Sequence, residues 1–433
     1  MNVGLISLGC SKNQVDAERM LAILENKGYY ISSNLEECDI IIINTCGFIE
    51  SAKQESIDEI LQICKFKEEK SSRLKLIVVT GCLAQRYKEQ LKEEMSEIDI
   101  VVGIGGNKDI EKLIQNGLKG NNITYCPATE DMIMCGNRVL TTPGYYAYLK
   151  IADGCNNRCT YCAIPMIRGS YKSLSKDLVI KEAKELAAKG VKELIIIAQD
   201  VTYYGYDLYN KLALADLLKE LCKIEGIEWI RLLYCYPDKI TDELIDTIAN
   251  NKKIVKYIDI PFQHVNDEIL HNMRRKGGKQ LILDVISKLR KRIPGIVIRS
   301  TFIVGFPGET DEQFNELLDF IKEAKLERVG CFKYSREEDT KAASFDNQIS
   351  EEVKEKRYEL LMNQQDKVIE EFNENQRGKK IKVLVEGYDE EEGVYYGRSY
   401  MDAPEIDDYI SFDLSDEYEG EKPKPGDFVD IKL

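Results

Sequence analysis

Short, continuous apolar runs rich in Ile and Val alternate with longer stretches of helical periodicity through the first third of the chain. Runs of this kind are what buried parallel strands look like, because both faces of such a sheet are covered. They predict strands at residues 3–8, 39–43, 76–79 and 98–102, and helices over 15–26, 54–66 and 85–95. The alternation implies a doubly wound α/β domain over residues 1–125, followed by a linker at 126–140. A second series places strands at 146–151, 193–198, 229–233, 257–260, 297–304 and 328–332, with amphipathic helices between them, for instance over 178–189 and 281–291. A full eight-fold barrel usually needs roughly 250 residues, so region 141–345 predicts a partial (β/α)6 barrel, with an open doubly wound sheet as the alternative. Residues 346–376 predict a charged connecting helix with an apolar stripe at Val353, Leu360, Leu361, Val368 and Phe372. Beyond it the pattern turns to period two at 380–385, 394–396, 409–412 and 428–431, which predicts a small antiparallel β-barrel over 377–433.

The chain has 433 residues, 43% of them hydrophobic and 31% charged, a composition that excludes disordered and fibrous classes and suits several globular domains. The amino terminus has no basic segment ahead of its short apolar run, so a cytoplasmic protein without a membrane partner is expected. In that reducing setting the thirteen cysteines are poor disulfide candidates and better ligands, nucleophiles or small core residues. The net charge of −15 is uneven, for residues 371–433 carry 8 Lys plus Arg against 18 Asp plus Glu. Phosphate backbones would repel such a region, and basic proteins would be attracted to it. The tyrosines Tyr395, Tyr396, Tyr400 and Tyr409 fit the core of a small barrel better than a base-stacking platform.

Spacing singles out two cysteine sets. Cys155, Cys159 and Cys162 form a C-x3-C-x2-C triplet directly after the strand at 146–151, at the end where barrel enzymes build their sites. Three thiolates leave one coordination position open. A structural zinc site or an electron-transfer cluster wants four protein ligands, so the triplet points to a catalytic 4Fe-4S cluster whose fourth iron meets a small molecule. Cys10, Cys46 and Cys82 each close an apolar strand and precede a helix, and parallel topology would bring such strand ends to one edge. The alternative is three small buried strand-end residues. Cys38, Cys64, Cys126, Cys135, Cys222, Cys235 and Cys331 read as packing residues, with Cys126 and Cys135 the exceptions to watch because they lie in the linker.

The triplet, with Tyr161 in its aromatic position, resembles the radical S-adenosylmethionine superfamily. That resemblance implies that S-adenosylmethionine chelates the open iron and is cleaved to a 5′-deoxyadenosyl radical. It also implies cofactor contacts at Tyr161, at Gln199 and Asp200 after the strand at 193–198, and at Gly305, Phe306, Pro307, Gly308 and Glu309 after the strand at 297–304. For Gln199 and Asp200 a plain helix cap is the competing reading. Adding Ser7-Leu8-Gly9-Cys10, Asn44-Thr45-Cys46, Gly81-Cys82 and Arg168-Gly169, the whole chain is similar to the methylthiotransferase family, whose C-terminal domain is TRAM-like. Membership implies two 4Fe-4S clusters, one on each cysteine set, the second serving as sulfur donor or carrier, and S-adenosylmethionine as both radical source and methyl donor. One branch of that family modifies an adenosine of tRNA and the other an aspartate of small-subunit ribosomal protein S-12. The runs Ala152-Asp153-Gly154, Tyr236-Pro237-Asp238, Asp259-Ile260-Pro261-Phe262-Gln263-His264 and Tyr334-Ser335-Arg336-Glu337-Glu338 resemble the ribosomal-protein branch. The expected partners are therefore S-12, free or within the small ribosomal subunit, and a low-potential electron donor such as flavodoxin or ferredoxin, with direct tRNA binding disfavoured. His264 is expected to line the substrate cavity, and Lys276-Gly277-Gly278 to form a mobile loop. A noncatalytic iron-sulfur protein is the reading from another class.

Overall fold

The computed structural model describes residues 1–414 and 421–433. The chain forms two compact units. One comprises Met1–Thr141, Lys150–Leu174 and Ser335–Ala343, and the other Thr142–Leu149, Ser175–Tyr334 and Ser344–Leu433.

In the first unit, β1 (Asn2–Ser7), β2 (Tyr30–Ile31), β3 (Ile40–Thr45), β4 (Leu76–Gly81), β5 (Ile100–Val102) and β6 (Ile123–Tyr125) form one parallel sheet in the order β2-β1-β3-β4-β5-β6. The two strands that the apolar pattern does not mark, β2 and β6, are the short outer ones, less buried than the central four. Alternate residues of the buried strands face opposite helical layers. Ile40, Ile42, Val78, Ile100 and Val102 pack with α1 (Ser11–Glu25) and with α4 (Ile110–Gly117), whereas Ile41, Ile43, Ile77, Val79 and Val101 pack with α2 (Glu50–Glu68) and α3 (Cys82–Glu94). Both faces are thus covered, as the near-continuous apolar strands require. The strand order reverses between β1 and β3, the kind of position at which open α/β sheets hold ligands beyond the strands' carboxyl ends.

The second unit is built on β7 (Tyr146–Lys150). The chain then passes through a small antiparallel hairpin of the first unit, β8 (Ala152–Asp153) and β9 (Lys172–Ser173), before β10 (Glu193–Ile197), β11 (Trp229–Leu232), β12 (Ile254–Asp259), β13 (Val297–Val304) and β14 (Arg328–Lys333). The sheet order β14-β13-β12-β11-β10-β7 follows the chain, each strand beside its predecessor, as in a partial (β/α)6 barrel. Helices such as Lys176–Ala188 and Gly278–Arg292 connect the strands, and the 24-residue helix Glu351–Glu374 follows them. A four-stranded antiparallel sheet, β17-β16-β15-β18, ends the chain, from β15 (Lys380–Asp389), β16 (Val394–Ser399), β17 (Ile410–Phe412) and β18 (Phe428–Lys432).

Acidic residues of this last region are partly spent inside the unit. The Tyr257 hydroxyl donates to Asp407 (2.7 Å), Arg328 pairs with Asp402 (2.8 Å), and Tyr146 and Tyr148 each donate to Glu405 (3.0 Å). At the start of β10 the fully buried Glu193 receives Arg231 Nε at 2.7 Å and Arg398 Nη2 at 2.8 Å. The regional count of acidic side chains therefore overstates the charge offered to a partner; Asp416, Glu417 and Glu419, part of that count, lie outside the described residues. Among the described residues no helix is long and apolar enough to cross a membrane.

Candidate active site

Strand register brings the dispersed cysteines to one edge. Ser7 lies beside Asn44, Asn44 beside Thr80, and Thr45 beside Gly81, so β1, β3 and β4 end level. Cys10 then caps α1, Cys82 opens α3, and Cys46 sits in the loop ahead of α2. Two glycines permit the close approach of these loops. A Cβ on Gly9 would lie 2.9 Å from Cys46 Sγ, and one on Gly81, whose φ is 96°, would lie 2.3 Å from the Thr45 carbonyl. Asn13 draws the loops together, its Nδ2 donating to the carbonyls of Leu8 (2.9 Å) and Thr45 (3.1 Å), while Asn44 Nδ2 donates to Asn13 O (2.7 Å).

The three sulfurs differ electrostatically. Burial pushes the Cys46 thiol up to about 12, and the neighbouring Cys82 and Cys10 push it in the same direction. Burial also raises Cys82, outweighing the opposing charge of Arg168. Cys10 is surrounded by protein yet open to solvent. Burial is the largest influence there too, but Lys12, Arg168 and the backbone N–H groups of Asn13 and Lys12 together outweigh it and lower the thiol below its ordinary value. Among the described residues, no three His, Cys, Asp or Glu side chains close on a point that a single ion would fill.

The β8–β9 hairpin carries the triplet Cys155, Cys159 and Cys162 in the same unit. Cys155 N donates to Gly169 O (3.2 Å), Tyr171 N to Asn156 Oδ1 (3.1 Å) and Cys162 N to Cys159 O (3.1 Å). Cys155, Tyr161, Cys159 and Cys162 are half-buried on this loop. Ala163, next after Cys162, is fully buried in an apolar cluster with Ile104, Ile167 and Cys82, so the triplet loop and the second cysteine set share a wall. Arg168, at the end of α5 (Ile164–Arg168), joins them by charge. Its Nη1 pairs with Asp16 Oδ2 (2.9 Å) and Asp153 Oδ2 (2.8 Å), and its Nη2 donates to Asn13 Oδ1 (3.2 Å) and Cys82 Sγ (3.7 Å). Lys150 completes the network on Asp16 and on Asp153 Oδ2 (2.7 Å). A further brace comes from Glu337, which holds Arg86 (2.8 Å) and Lys53 (3.2 Å); Arg86 in turn donates to the carbonyl of Gly47 (3.1 Å), next to Cys46. From the same segment, Ala342 N donates to Thr160 O (2.9 Å), within the triplet loop.

The remaining expected cofactor contacts lie in the second unit. Asp200 caps the turn Val201–Tyr203, accepting from Tyr203 N (3.2 Å) and pairing with Lys239 (3.1 Å), as the helix-cap reading anticipates; Gln199 precedes it on the same strand end. After β13, Phe306 is buried edge-on to Tyr334 and Phe345, and Pro307 and Gly308 carry the chain round to Glu309. Glu309 is buried and fully engaged, accepting from Gly305 N (2.6 Å), Arg357 Nη1 (2.6 Å) and His264 Nε2 (3.0 Å). It shapes the loop from within. His264, expected in a cavity wall, is instead completely buried: Asn266 N donates to its Nδ1 (3.0 Å), which leaves the proton on Nε2 for Glu309. Lys276 and Gly277 form a bend, and Gly278 begins a helix whose Lys279 N donates to Asp267 (2.7 Å).

Sequence reasoning passed over Asn13, Asp16, Lys150 and Arg86. One signal was available: Lys150 places a charge in an otherwise apolar strand, and such a charge needs a buried partner. Of the other cysteines, Cys38, Cys64, Cys235 and Cys331 are buried, Cys126 and Cys222 are half-buried, and Cys135 is exposed.

Comparison with known proteins bears on this site directly. Residues 149–321 match the radical SAM superfamily, residues 2–103 an uncharacterized protein family, UPF0004, and residues 378–433 the TRAM domain. The ribosomal protein uS12 methylthiotransferase RimO of Thermoanaerobacter sp. (strain X514) is 52% identical over 429 residues, covering 99% of this chain and 96% of that one. The protein of the same name from Caldanaerobacter subterraneus subsp. tengcongensis is 54% identical over 433 residues, covering 100% and 97%. Among solved structures, the radical S-adenosylmethionine methyltransferase TsrM from Kitasatospora setae superposes with a TM-score of 0.59 at 16% identity, covering 77% of this chain and 74% of that one, a likeness of fold. With full-length identity near these values and a radical SAM region, which brings S-adenosylmethionine and a 4Fe-4S cluster, the chain belongs to the RimO family of radical S-adenosylmethionine methylthiotransferases.

Proposed function

We propose that this chain methylthiolates the β-carbon of an aspartate in ribosomal protein uS12, acting in the cytosol on the free protein or on the small subunit. The observation that carries the reading is the meeting of two three-cysteine sets in one unit, joined by Arg168 and the wall around Ala163, in a chain about half identical to uS12 methylthiotransferases. An unactivated C–H bond offers no acidic proton, so side-chain bases are of no use and a radical route is required. In this reading Cys155, Cys159 and Cys162 hold the cluster that meets S-adenosylmethionine, and Cys10, Cys46 and Cys82 hold a second 4Fe-4S cluster. When bound, these groups and S-adenosylmethionine supply the 5′-deoxyadenosyl radical, the sulfur and the methyl group.

The chain's own residues do the positioning. Gln199 and residues 305–308 contact the nucleoside, with Asp200 and Glu309 fixing the backbones that present them. A low-potential carrier of the flavodoxin or ferredoxin kind supplies electrons. The division into an N-terminal domain at 1–125, a linker at 126–140, a barrel at 141–345, a connecting helix at 346–376 and a TRAM-like domain at 377–433 belongs to the same reading. Mass spectrometry of uS12 and of total tRNA from a strain lacking the gene tests it: the methylthio group should disappear from the uS12 aspartate alone. Its loss from a tRNA nucleoside, with uS12 unchanged, would refute the assignment.

A further inference from the structure

The buried network around Arg168 balances two carboxylates, Asp16 and Asp153, against two cations, Lys150 and Arg168. All four side chains are withdrawn from water. A balanced set of this kind has satisfied its charges before any thiolate is considered. Arg168 nevertheless keeps one nitrogen outside the carboxylate pairs: Nη2 is placed on Asn13 Oδ1 and on Cys82 Sγ. Its charge also acts to lower the thiols of Cys10 and Cys46. Arg168 comes from the segment of the radical triplet, and its partner Asp153 holds Gly154 N at 2.8 Å, one residue before Cys155.

We infer that Arg168 is a positioning residue for the second cluster, a fixed buried cation that donates a hydrogen bond to the Cys82 thiolate and thereby raises that cluster's reduction potential. This rests on the reading that Cys10, Cys46 and Cys82 hold a 4Fe-4S cluster. Two physical effects point the same way. An N–H donated to a ligand sulfur withdraws electron density from the iron, and a cation in a water-poor site favours the more negative, reduced state. A guanidinium suits the position because it stays charged and reaches sulfur and carboxylates at once from a planar fork.

The test isolates the second centre in a full-length chain carrying C155A, C159A and C162A. Reconstituted anaerobically, this parent should bind about four irons. Its midpoint potential, followed by electron paramagnetic resonance during a redox titration, is compared with those of chains that also carry R168Q or R168K. R168Q is expected to accept an electron at least tenfold less readily, a midpoint about 59 mV more negative for a one-electron couple, while R168K stays nearer the parent. A parent that binds no iron refutes the second cluster itself. A parent and R168Q with equal iron and equal potential refute only the role of Arg168. If R168Q cannot hold iron, R168K decides: iron retained near the parental potential supports the cationic role. Loss of iron from both substituted chains, with circular dichroism unchanged, overturns it and leaves Arg168 a strut of the fold.

Discussion

Replacing Glu309 by Gln tests whether the loop at residues 305–309 is shaped from inside. The carboxylate takes three donors, Gly305 N, Arg357 Nη1 and His264 Nε2, in a site closed to water. The glutamine oxygen can still accept from Gly305 and Arg357, but its amide then points N–H groups at His264 Nε2. That histidine cannot simply switch tautomer, because Asn266 N already donates to Nδ1 (3.0 Å). Removing one member of a buried ion pair costs about 3–5 kcal/mol, and a buried donor left unpaired about 1–3 kcal/mol. Gln keeps the volume, and Arg357 retains Asp311 at 2.7 Å, so about 2–4 kcal/mol is expected. At about 2–4 °C per kcal/mol for units of this general size, the melting temperature of the second unit should fall by about 4–16 °C. Cluster-loaded E309Q should also bind S-adenosylmethionine about tenfold more weakly, a change of about 1.4 kcal/mol, in equilibrium dialysis. A melting temperature within about 1 °C of the parent, with unchanged affinity, would show that the three hydrogen bonds do not order this loop.

Further outcomes follow from other sites. G81A should lose the second cluster, because its Cβ would meet the Thr45 carbonyl at 2.3 Å; iron analysis of the reconstituted full chain should fall from about eight atoms to about four, and full iron content would contradict the close-approach argument. E337Q weakens the hold on Arg86 and Lys53, and hydrogen exchange at Gly47 and its neighbours should quicken by about tenfold or more if the brace is worth about 1.4 kcal/mol; unchanged exchange would remove Glu337 from that role. In the second unit, burial raises Glu193 but Arg398 and Arg231 outweigh it, so its folded pKa lies below its unfolded one. The stability it contributes is present above the usual glutamate range and lost as pH falls through the folded value. E193Q should therefore be less stable at neutral pH and lose less melting temperature on acidification, whereas an acid slope equal to the parent's would assign the sensitivity to other groups.

The sequence makes the layered parts of this fold legible and the stitched parts obscure. The strands at 76–79 and 193–198 are near-continuous apolar runs, and the structure places them at Leu76–Gly81 and Glu193–Ile197, because burial on both faces leaves periodicity little to confuse. Helix starts are less visible. α1 begins at Ser11, four residues before the predicted 15, since its first turn carries Lys12 and Asn13, which look like a solvent face but are buried. The membership of Lys150–Leu174 and Ser335–Ala343 in the first unit has no periodic signature at all. It depends on individual pairs such as Arg168 with Asp16 and Arg86 with Glu337, separated by 152 and 251 residues. The cysteine sets were legible because spacing and strand ends are local properties; Arg168 stood out as part of a motif, but its contacts did not, because its partners come from three separate stretches of chain.

The discontinuity of the first unit bears on how the molecule is made. Its sheet can form once residues 1–141 have left the ribosome, but the segment that braces Arg86 and meets Thr160 is still unsynthesised. At about 5–20 residues per second, the stretch from Thr142 to Tyr334 delays its arrival by about 10–40 s. From the synthesis of Cys162 onward the nascent chain carries both sets of thiols without their last support, so iron delivered early would meet an unfinished cradle. The contacts of Ser335–Ala343 with Arg86 and Thr160 thus form only after both sets of cysteines have been made.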